Sequence, residues 1–423
     1  MRKSDKRSRL RQAQNPSQFE MPVHDFLRCG LQDLVVSAGF EALIKLLEAE
    51  RSAVCGPRYQ HAGKSRQAYR AGHAPGELVL GGRKVSVRRP RARTVAGEEV
   101  TLPSWQQFSS EDALQDRSVE QMLVGVATRR YDRSLDALPS PMRSRSVSKS
   151  SVSRRFVSAT QSKLEELLAR DLSDLSLVSL MIDGVHFADH VVLVALGIDR
   201  NGFKHVLGLQ EGASENSAAC RSLLTNLRDR GLRTDRSILV TLDGSKALAK
   251  AVRDVFGKRA LVQRCQVHKK RNVLDHLPDA KRASVSQTLT QAYRSRDEKR
   301  ARRLLLNLSR SLEIDHPGAA ASVREGLDEI LTIKPWKLPE ILERMLSTTN
   351  AIENLFSSVR QVSRRVKNWQ DGSMILRWAA AGLEEAAKGF RRIRGYKDLH
   401  KLDEALRQND AKLDGINQEE EAA

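Results

Sequence analysis

Leu177-Val178-Ser179-Leu180-Met181-Ile182-Asp183-Gly184 and Ile238-Leu239-Val240-Thr241-Leu242-Asp243-Gly244 are the two stretches on which the reading of this chain turns. Each is a short apolar run stopped by the same Asp-Gly pair. Runs of this length, bounded by turn residues, read as buried strands. Each strand is expected to end at its Asp-Gly, placing a carboxylate at the mouth of a rigid element. Open α/β sheets present ligand-binding groups in this way. If the two strands are neighbours, Asp183 and Asp243 converge on one point. Like charges a few ångströms apart repel unless a cation lies between them, and hard oxygen ligands suit Mg²⁺. Asp-Gly is also a common turn pair, so each could simply end a strand.

Around these runs the pattern is α/β. Val191–Ile198 and Phe203–Leu209 are further apolar runs, joined by Asp199-Arg200-Asn201-Gly202 as a hairpin loop. Helices are expected at 215–230 and 245–256, with a short strand at 260–263 after the second helix. From 266 to 345 the pattern is helical and charged, with no strand signal. A long amphipathic helix is expected over 350–367, further helices to about 408, and an acidic tail at the end. Upstream, residues 1–20 are polar and basic and read as an arm. A helix is expected at 25–50. Glu77–Leu80 and Lys84–Arg88 read as a hairpin turning on Gly81-Gly82. Another helix is expected near 118–138, then a Ser/Pro/Arg-rich connection at 139–147 and a helix from Ser148.

Composition limits the partners. The 423 residues carry 72 Lys and Arg against 52 Asp and Glu, a formal charge of +20, which favours an anionic partner. No apolar run approaches the ~18 residues of a spanning helix, and no signal-peptide core follows the charged N-terminus. Cys29, Cys55, Cys220 and Cys265 are scattered and suggest a reducing cytoplasm rather than a disulfide framework. Aromatics are 4%, so stacking on aromatic platforms is not an evident binding mode. Between Arg58 and Arg93 there are ten Lys/Arg and one acid, Glu77, suggesting backbone contacts to nucleic acid. Lys149, Arg154 and Arg155 open a Ser-capped helix that fits the second helix of a helix-turn-helix.

Thr348-Thr349-Asn350-Ala351-Ile352-Glu353-Asn354 begins the amphipathic helix, whose apolar stripe is Ile352, Leu355, Phe356, Val359, Val362 and Val366. Glu353, Arg360 and Arg364 fall on one face at ~100° per residue. An acid heading a basic stripe suits a metal site beside a phosphate track. Equally, Asn350 could be an N-cap with Glu353 closing a capping box. Arg264-Cys265-Gln266-Val267-His268-Lys269-Lys270-Arg271-Asn272 holds a Cys-x2-His that is half a zinc site by spacing, with no second pair to complete it. A hydrogen-bonding or packing role for Cys265 and His268 fits better. Lys269, Lys270 and Arg271 could contact phosphate or be solvated.

Taken in order, Ile182-Asp183-Gly184, Leu242-Asp243-Gly244, Gln263 to Asn272, and Ser347 to Asn354 resemble the bacterial insertion-sequence transposases of the mutator type. The resemblance covers most of the chain and is strongest over 177–275 and 345–400. It implies a ribonuclease-H-like mixed sheet interrupted by an all-helical insertion. It also implies a catalytic, metal-binding triad of Asp183, Asp243 and Glu353 using two Mg²⁺ or Mn²⁺ ions, with the family's Cys-x2-His at Cys265 and His268. The implied partners are double-stranded DNA, as terminal inverted repeats and target, and further copies of the chain in a homodimer or higher oligomer on DNA; the implied place is the bacterial nucleoid. The sequence departs from the family after Asn354, where the bases come only at 360–367. On this reading 1–100 is a basic N-terminal region, 101–170 a helical DNA-binding domain, 171–265 and 346–408 the catalytic core, 266–345 the insertion and 409–423 an acidic tail. A catalytically silent DNA-binding repressor or domesticated transposase, and a nuclease of branched DNA, are the alternative expectations.

Overall fold

Side chains alternate across a strand, and in β4 (Leu177–Phe187) both faces are apolar. Met181, Val185 and Phe187 enter one hydrophobic cluster, while Leu180 and Ile182 enter another. A strand covered on both sides reads as a continuous apolar run rather than an alternating one. In the computed structural model, residues 31–59, 67–80, 82–110, 112–135, 138, 142, 148–187, 189–212 and 217–422 are described. The expected N-terminal arm, Cys29, the start of the helix expected from 25 and most of the 139–147 connection lie outside them.

Five strands form one mixed sheet. Strands β4, β5 (His190–Asp199) and β6 (Lys204–Gly212) make an antiparallel meander, and β7 (Ile238–Leu242) and β8 (Ala260–Arg264) continue it in parallel, in the order β6-β5-β4-β7-β8. Helices α5 (Ser217–Asp229) and α6 (Lys246–Phe256) cover the face holding Leu180 and Ile182. The other face is covered by α13 (Asn350–Ser363), α14 (Gly372–Lys388), α15 (Leu399–Ala422) and the end of α4 (Lys149–Ala169). The chain is therefore α/β, as its apolar runs imply.

The strand expected to stop at Asp183-Gly184 does not. β4 pairs with β5 as far as Phe187↔His190, so Asp183 lies inside a strand opposite Val194. Only the pairing with β7 stops, at Ile182↔Leu242. The β4–β5 ribbon continues beyond its parallel neighbour because its hydrogen bonds are already satisfied within the hairpin.

Between β8 and α13 every described element is helical: α7 (Gln266–Asp275), α8 (Asp279–Arg294), α9 (Glu298–Leu312), α10 (Pro317–Arg324), α11 (Leu327–Ile330) and α12 (Glu340–Leu346). These helices build a core of their own around Val273, Leu289, Leu305 and Ala320. Polar groups fasten it to the sheet. Gln263 Nε2 donates to Ile330 O (2.9 Å), and Thr332 Oγ1 donates to Val262 O (2.6 Å).

Two helix ends differ from expectation. α13 stops at Ser363, with Arg364 already its C-cap, so Arg364 and Val366 do not extend the helical stripe. The chain's end is helical through Ala422, and the start of that stretch is tied down by two of its acids. Asp410 Oδ1 accepts from the Ser237 amide (2.8 Å) and pairs with Arg259 (2.7 Å), which also pairs with Asp414 (2.6 Å).

The chain divides into two compact units, one ending at Ala159 and one beginning at Thr160. The first contains α1 (Leu31–Cys55) and a three-stranded antiparallel sheet of β1 (Ala68–Leu80), β2 (Arg83–Thr94) and β3 (Glu99–Val100). The hairpin turns where expected, pairing Leu80 with Arg83, with Gly82 at φ +81, but its strands are more than twice as long. Much of its positive charge is answered internally: Arg89 and Arg91 pair with Glu99, and Arg51 and Arg70 with Glu48. Short α2 (Pro103–Ser109) packs Trp105 against the hairpin. The helix expected at 118–138 is instead α3 (Asp112–Leu123); Gly125 takes φ +94, and two 3₁₀ turns follow at 128–130 and 132–134.

Candidate active site

Parity decides where Asp183 points. It shares the face of Met181 and Val185, which α13 covers with Ile352 and Phe356. Its side chain is buried, 8% exposed, and Oδ1 accepts from the Gly184 amide (2.9 Å). Asp243 follows the last residue of β7, one position beyond the Ile182↔Leu242 pair, and is near enough for its charge to act on Asp183. It accepts from the Ser245 amide (2.9 Å), and Ser245 caps α6 by accepting from Leu248 N (3.3 Å). Between Asp243 and Ser245, Gly244 takes φ +119, a value L side chains rarely adopt.

The Asp243-Gly244 turn is clamped by Arg264 at the end of β8. Its Nη2 donates to Gly244 O (2.7 Å) and its Nη1 to Glu325 O (3.1 Å), and it pairs with Glu325 and Glu329 (3.5 and 3.4 Å). Lys269 completes this cluster, donating to Ser322 O (2.6 Å) and pairing with Glu325 (3.3 Å). The expectation of a phosphate contact at Lys269 is thus corrected: the ammonium is buried and engaged inside the protein.

Glu353 is brought to the same place by the first turn of α13. Thr349, not Asn350, is the N-cap, and it makes no side-chain cap bond, so no capping box forms. The Glu353 carboxylate turns outward instead. It accepts from Thr349 Oγ1 (3.1 Å) and lies 3.4 Å from His268 Nε2. Thr349 also meets the Cys265 thiol through its amide (3.4 Å) and hydroxyl (3.3 Å), and the hydroxyl lies 3.4 Å from His268 Nδ1. A hydroxyl has one proton, so these contacts are alternatives rather than simultaneous donations.

Charge accumulates here. Burial, then the Asp243 charge, push the Asp183 carboxyl up to about 7, with Glu353 adding to the rise and the Gly184 amide and His268 opposing it. His268 is raised to about 9, first by its hydrogen bond with Cys265 against the effect of burial, then by Cys265, Asp183 and Glu353 charges. Burial pushes the Cys265 thiol up, but hydrogen bonds from His268 and Thr349 outweigh it and leave the thiol below its ordinary value. Even with one imidazolium present, three carboxylates converge on a site that is short of positive charge.

Of the remaining expected contacts, Lys270 bonds Thr290 Oγ1 (2.9 Å), while Arg271, Arg360 and Arg364 are exposed. Lys149, Arg154 and Arg155 belong to the first unit. Arg264 and Thr349 stand inside the sequence motifs, yet spacing alone gives neither a role. For Arg264 the available signal is a lone arginine closing an apolar strand.

Against this geometry, the family model described as "Transposase, Mutator family" matches residues 20–392. The chain belongs to the Mutator family of transposases. It is 28% identical over 372 residues to the transposase for insertion sequence element ISRM5 of Rhizobium meliloti (strain 1021), covering 86% of this chain and 91% of that one. It is 29% identical over 245 residues to the transposase for IS6120 of Mycolicibacterium smegmatis, covering 56% and 74% of the two chains. It is 25% identical over 338 residues to the transposase for IS256 in transposon Tn4001 of Staphylococcus aureus, covering 76% and 82%. No helix among the described residues of this Mutator-family transposase is long and apolar enough to cross a membrane.

Two donor sets in the transposase meet at Glu353. Cys265, His268 and a Glu353 oxygen lie within 4.8 Å of one another, a spacing a metal could bridge. That set offers a thiol already engaged by Thr349 and an imidazole that favours its protonated form. Among the described residues that is the one set of three such donors this close; Asp183, Asp243 and Glu353 offer oxygen alone and stand farther apart, with Glu353 already 3.4 Å from His268.

Proposed function

We propose that this transposase cleaves and joins DNA strands at a divalent-metal site formed by Asp183, Asp243 and Glu353, acting on the terminal inverted repeats of an insertion sequence and on target DNA. The observation that carries the proposal is the convergence of these three carboxylates, from two neighbouring parallel strands and one helix start, around the buried and charge-strained Asp183. The sheet order β6-β5-β4-β7-β8, with an antiparallel meander followed by two parallel strands, supports reading the core as ribonuclease-H-like with 266–345 as its insertion.

Asp183, Asp243 and Glu353 would hold two Mg²⁺ or Mn²⁺ ions, which would supply Lewis-acid charge for an in-line displacement. Asp183 is held inside β4 and Asp243 just past the end of β7, and Glu353 closes the site from α13. Arg264 keeps the Asp243-Gly244 turn in place. His268 holds the Glu353 carboxylate in orientation and keeps a proton next to it. Catalysis rests on position and charge, with no covalent bond between protein and DNA. The exposed Arg360, Arg364 and Arg271, and Lys149, Arg154 and Arg155 in the first unit, serve as phosphate contacts; the first unit carries end recognition, and the active species is a dimer or larger assembly on DNA.

The test is cleavage of terminal-repeat DNA with Mg²⁺. Asp243→Ala is expected to bind that DNA with wild-type affinity and to lose cleavage by about a thousandfold or more. Undiminished cleavage in this variant would remove the triad.

The raised carboxyl makes a second expectation. Cation binding must displace the proton that Asp183 holds below about 7. Mn²⁺ affinity, followed by titration between about pH 5.5 and 8, is expected to fall about tenfold for each unit below that value and to level off above it. An affinity flat across the range would contradict the placement of Asp183 in the site.

A further inference from the structure

A cavity of about 240 Å³ opens beside α7 and α12. Val267, Leu338 and Tyr293 contribute to its mostly apolar wall. Gln266 is polar and fixed: its backbone amide donates to Ser347 O (2.9 Å), its side chain is buried, and its Nε2 has no hydrogen-bond partner among the described residues. The cavity is smaller than the ~300–1,000 Å³ typical of drug-sized ligands and suits a group the size of one planar ring system.

The surroundings indicate whose ring it is. Lys270, Arg294, Arg296 and Arg344 line the cavity with two acids, Glu340 and Glu343, of which Glu343 already pairs with Lys334. Arg344 and Thr348 also line an adjoining groove of about 690 Å³. Among the described residues, every charged one lining that groove is cationic: Lys204, Arg344, Arg391, Arg392 and Arg394. Elsewhere in this unit cations meet carboxylates, as Arg259 meets Asp410 and Asp414. Two of the groove cations rest on rings, Arg392 over Phe203 (4.4 Å) and Tyr396 (5.0 Å), and Lys204 over Phe390 (4.5 Å). Asn350 and Asn354, which bracket Glu353 along α13, line the same groove.

We propose that the cavity takes one unstacked base of a DNA strand whose phosphates lie along this groove. The inference rests on the reading of the chain as an enzyme that works on DNA strands. Phosphates alone would account for the cations but not for a mostly apolar cavity opening beside them. The Tyr293 ring in the wall offers a stacking surface for a base. A base leaves its stack most readily in single-stranded DNA, the state of a freshly cut strand.

The probe is a fluorescent oligothymidylate of about a dozen nucleotides, set against an abasic strand of equal length, with the full chain and no divalent ion. The wild type is expected to prefer the oligothymidylate by roughly tenfold. Thr290→Trp and Val267→Trp, each of which fills the cavity, are expected to abolish that preference while leaving the abasic strand bound as before. If one variant fails to fold by circular dichroism, the other carries the test. Arg391→Glu with Arg394→Glu is expected to weaken both strands alike and to flatten the salt dependence. Equal wild-type binding of the two strands, or a preference retained in a folded Thr290→Trp, overturns the proposal. Binding of neither strand overturns it at the groove, and is distinguishable from loss of metal-dependent cleavage, which concerns the carboxylates.

Discussion

Asp183→Asn is expected to lose about a thousandfold or more in strand cleavage and, without divalent ions, to fold more stably than the wild type. The two effects share one cause. The buried carboxyl faces Asp243 and Glu353 and is held up to about 7. Near pH 4 and below, Asp183 is protonated in folded and unfolded chains alike. Between there and about 7 the folded protein keeps a proton the unfolded chain has released, so the stability contributed by that proton is lost progressively as the pH rises. Above about 7 the loss is complete and amounts to a few kcal/mol. Asparagine keeps the shape without the charge and escapes this loss, so its stability advantage should grow with pH through that window. Thermal melts across pH measure it. Added Mg²⁺ should raise the melting temperature of the wild type and leave that of the variant unchanged. A variant no more stable than the wild type at pH 8 would mean that Asp183 is not under charge strain.

Lys334→Ala is expected to be the most damaging substitution away from the site, costing about 3–5 kcal/mol. The Lys334 side chain is 1% exposed. Its ammonium donates to Tyr293 O (2.5 Å) and Ser295 O (2.8 Å) at the end of α8 and pairs closely with Glu343 of α12. Removing it leaves a half-buried carboxylate and two carbonyls without their donor, where the helical stretch rejoins the sheet. Chemical denaturation measures the loss. Glu343→Gln together with Lys334→Met, which removes both charges, should recover part of it. A Lys334→Ala chain within 1 kcal/mol of wild type would mean that this buried pair holds nothing together.

The strands were legible because their signal is local. Ile238–Leu242 is β7 to the residue, and 260–263 differs from β8 by one. The helical character of 266–345 was equally plain, since no run there has strand spacing. The end of β4 was not, because Asp-Gly is a turn signal that the hairpin pairing with β5 overrides. The helix expected at 118–138 failed for a related reason: apolar spacing continues past Gly125, while the backbone there turns left-handed. Sequence spacing alone left Glu353 open between a metal ligand and a helix cap. What separates these is the direction of a side chain, fixed by Thr349 and His268, and no periodicity reports it. Lys269 shows the reverse difficulty. A basic triplet reads as a surface patch, yet Glu325, distant in sequence, draws one of its three members into the interior.

The most direct test of the metal-binding triad is to soak crystals of the wild-type chain in Mn²⁺ and locate the ion by its anomalous scattering. The expected result is density bridging the carboxylates of Asp183 and Asp243, with Glu353 on the same cluster. Density on Cys265 and His268, with none between the two aspartates, would contradict it.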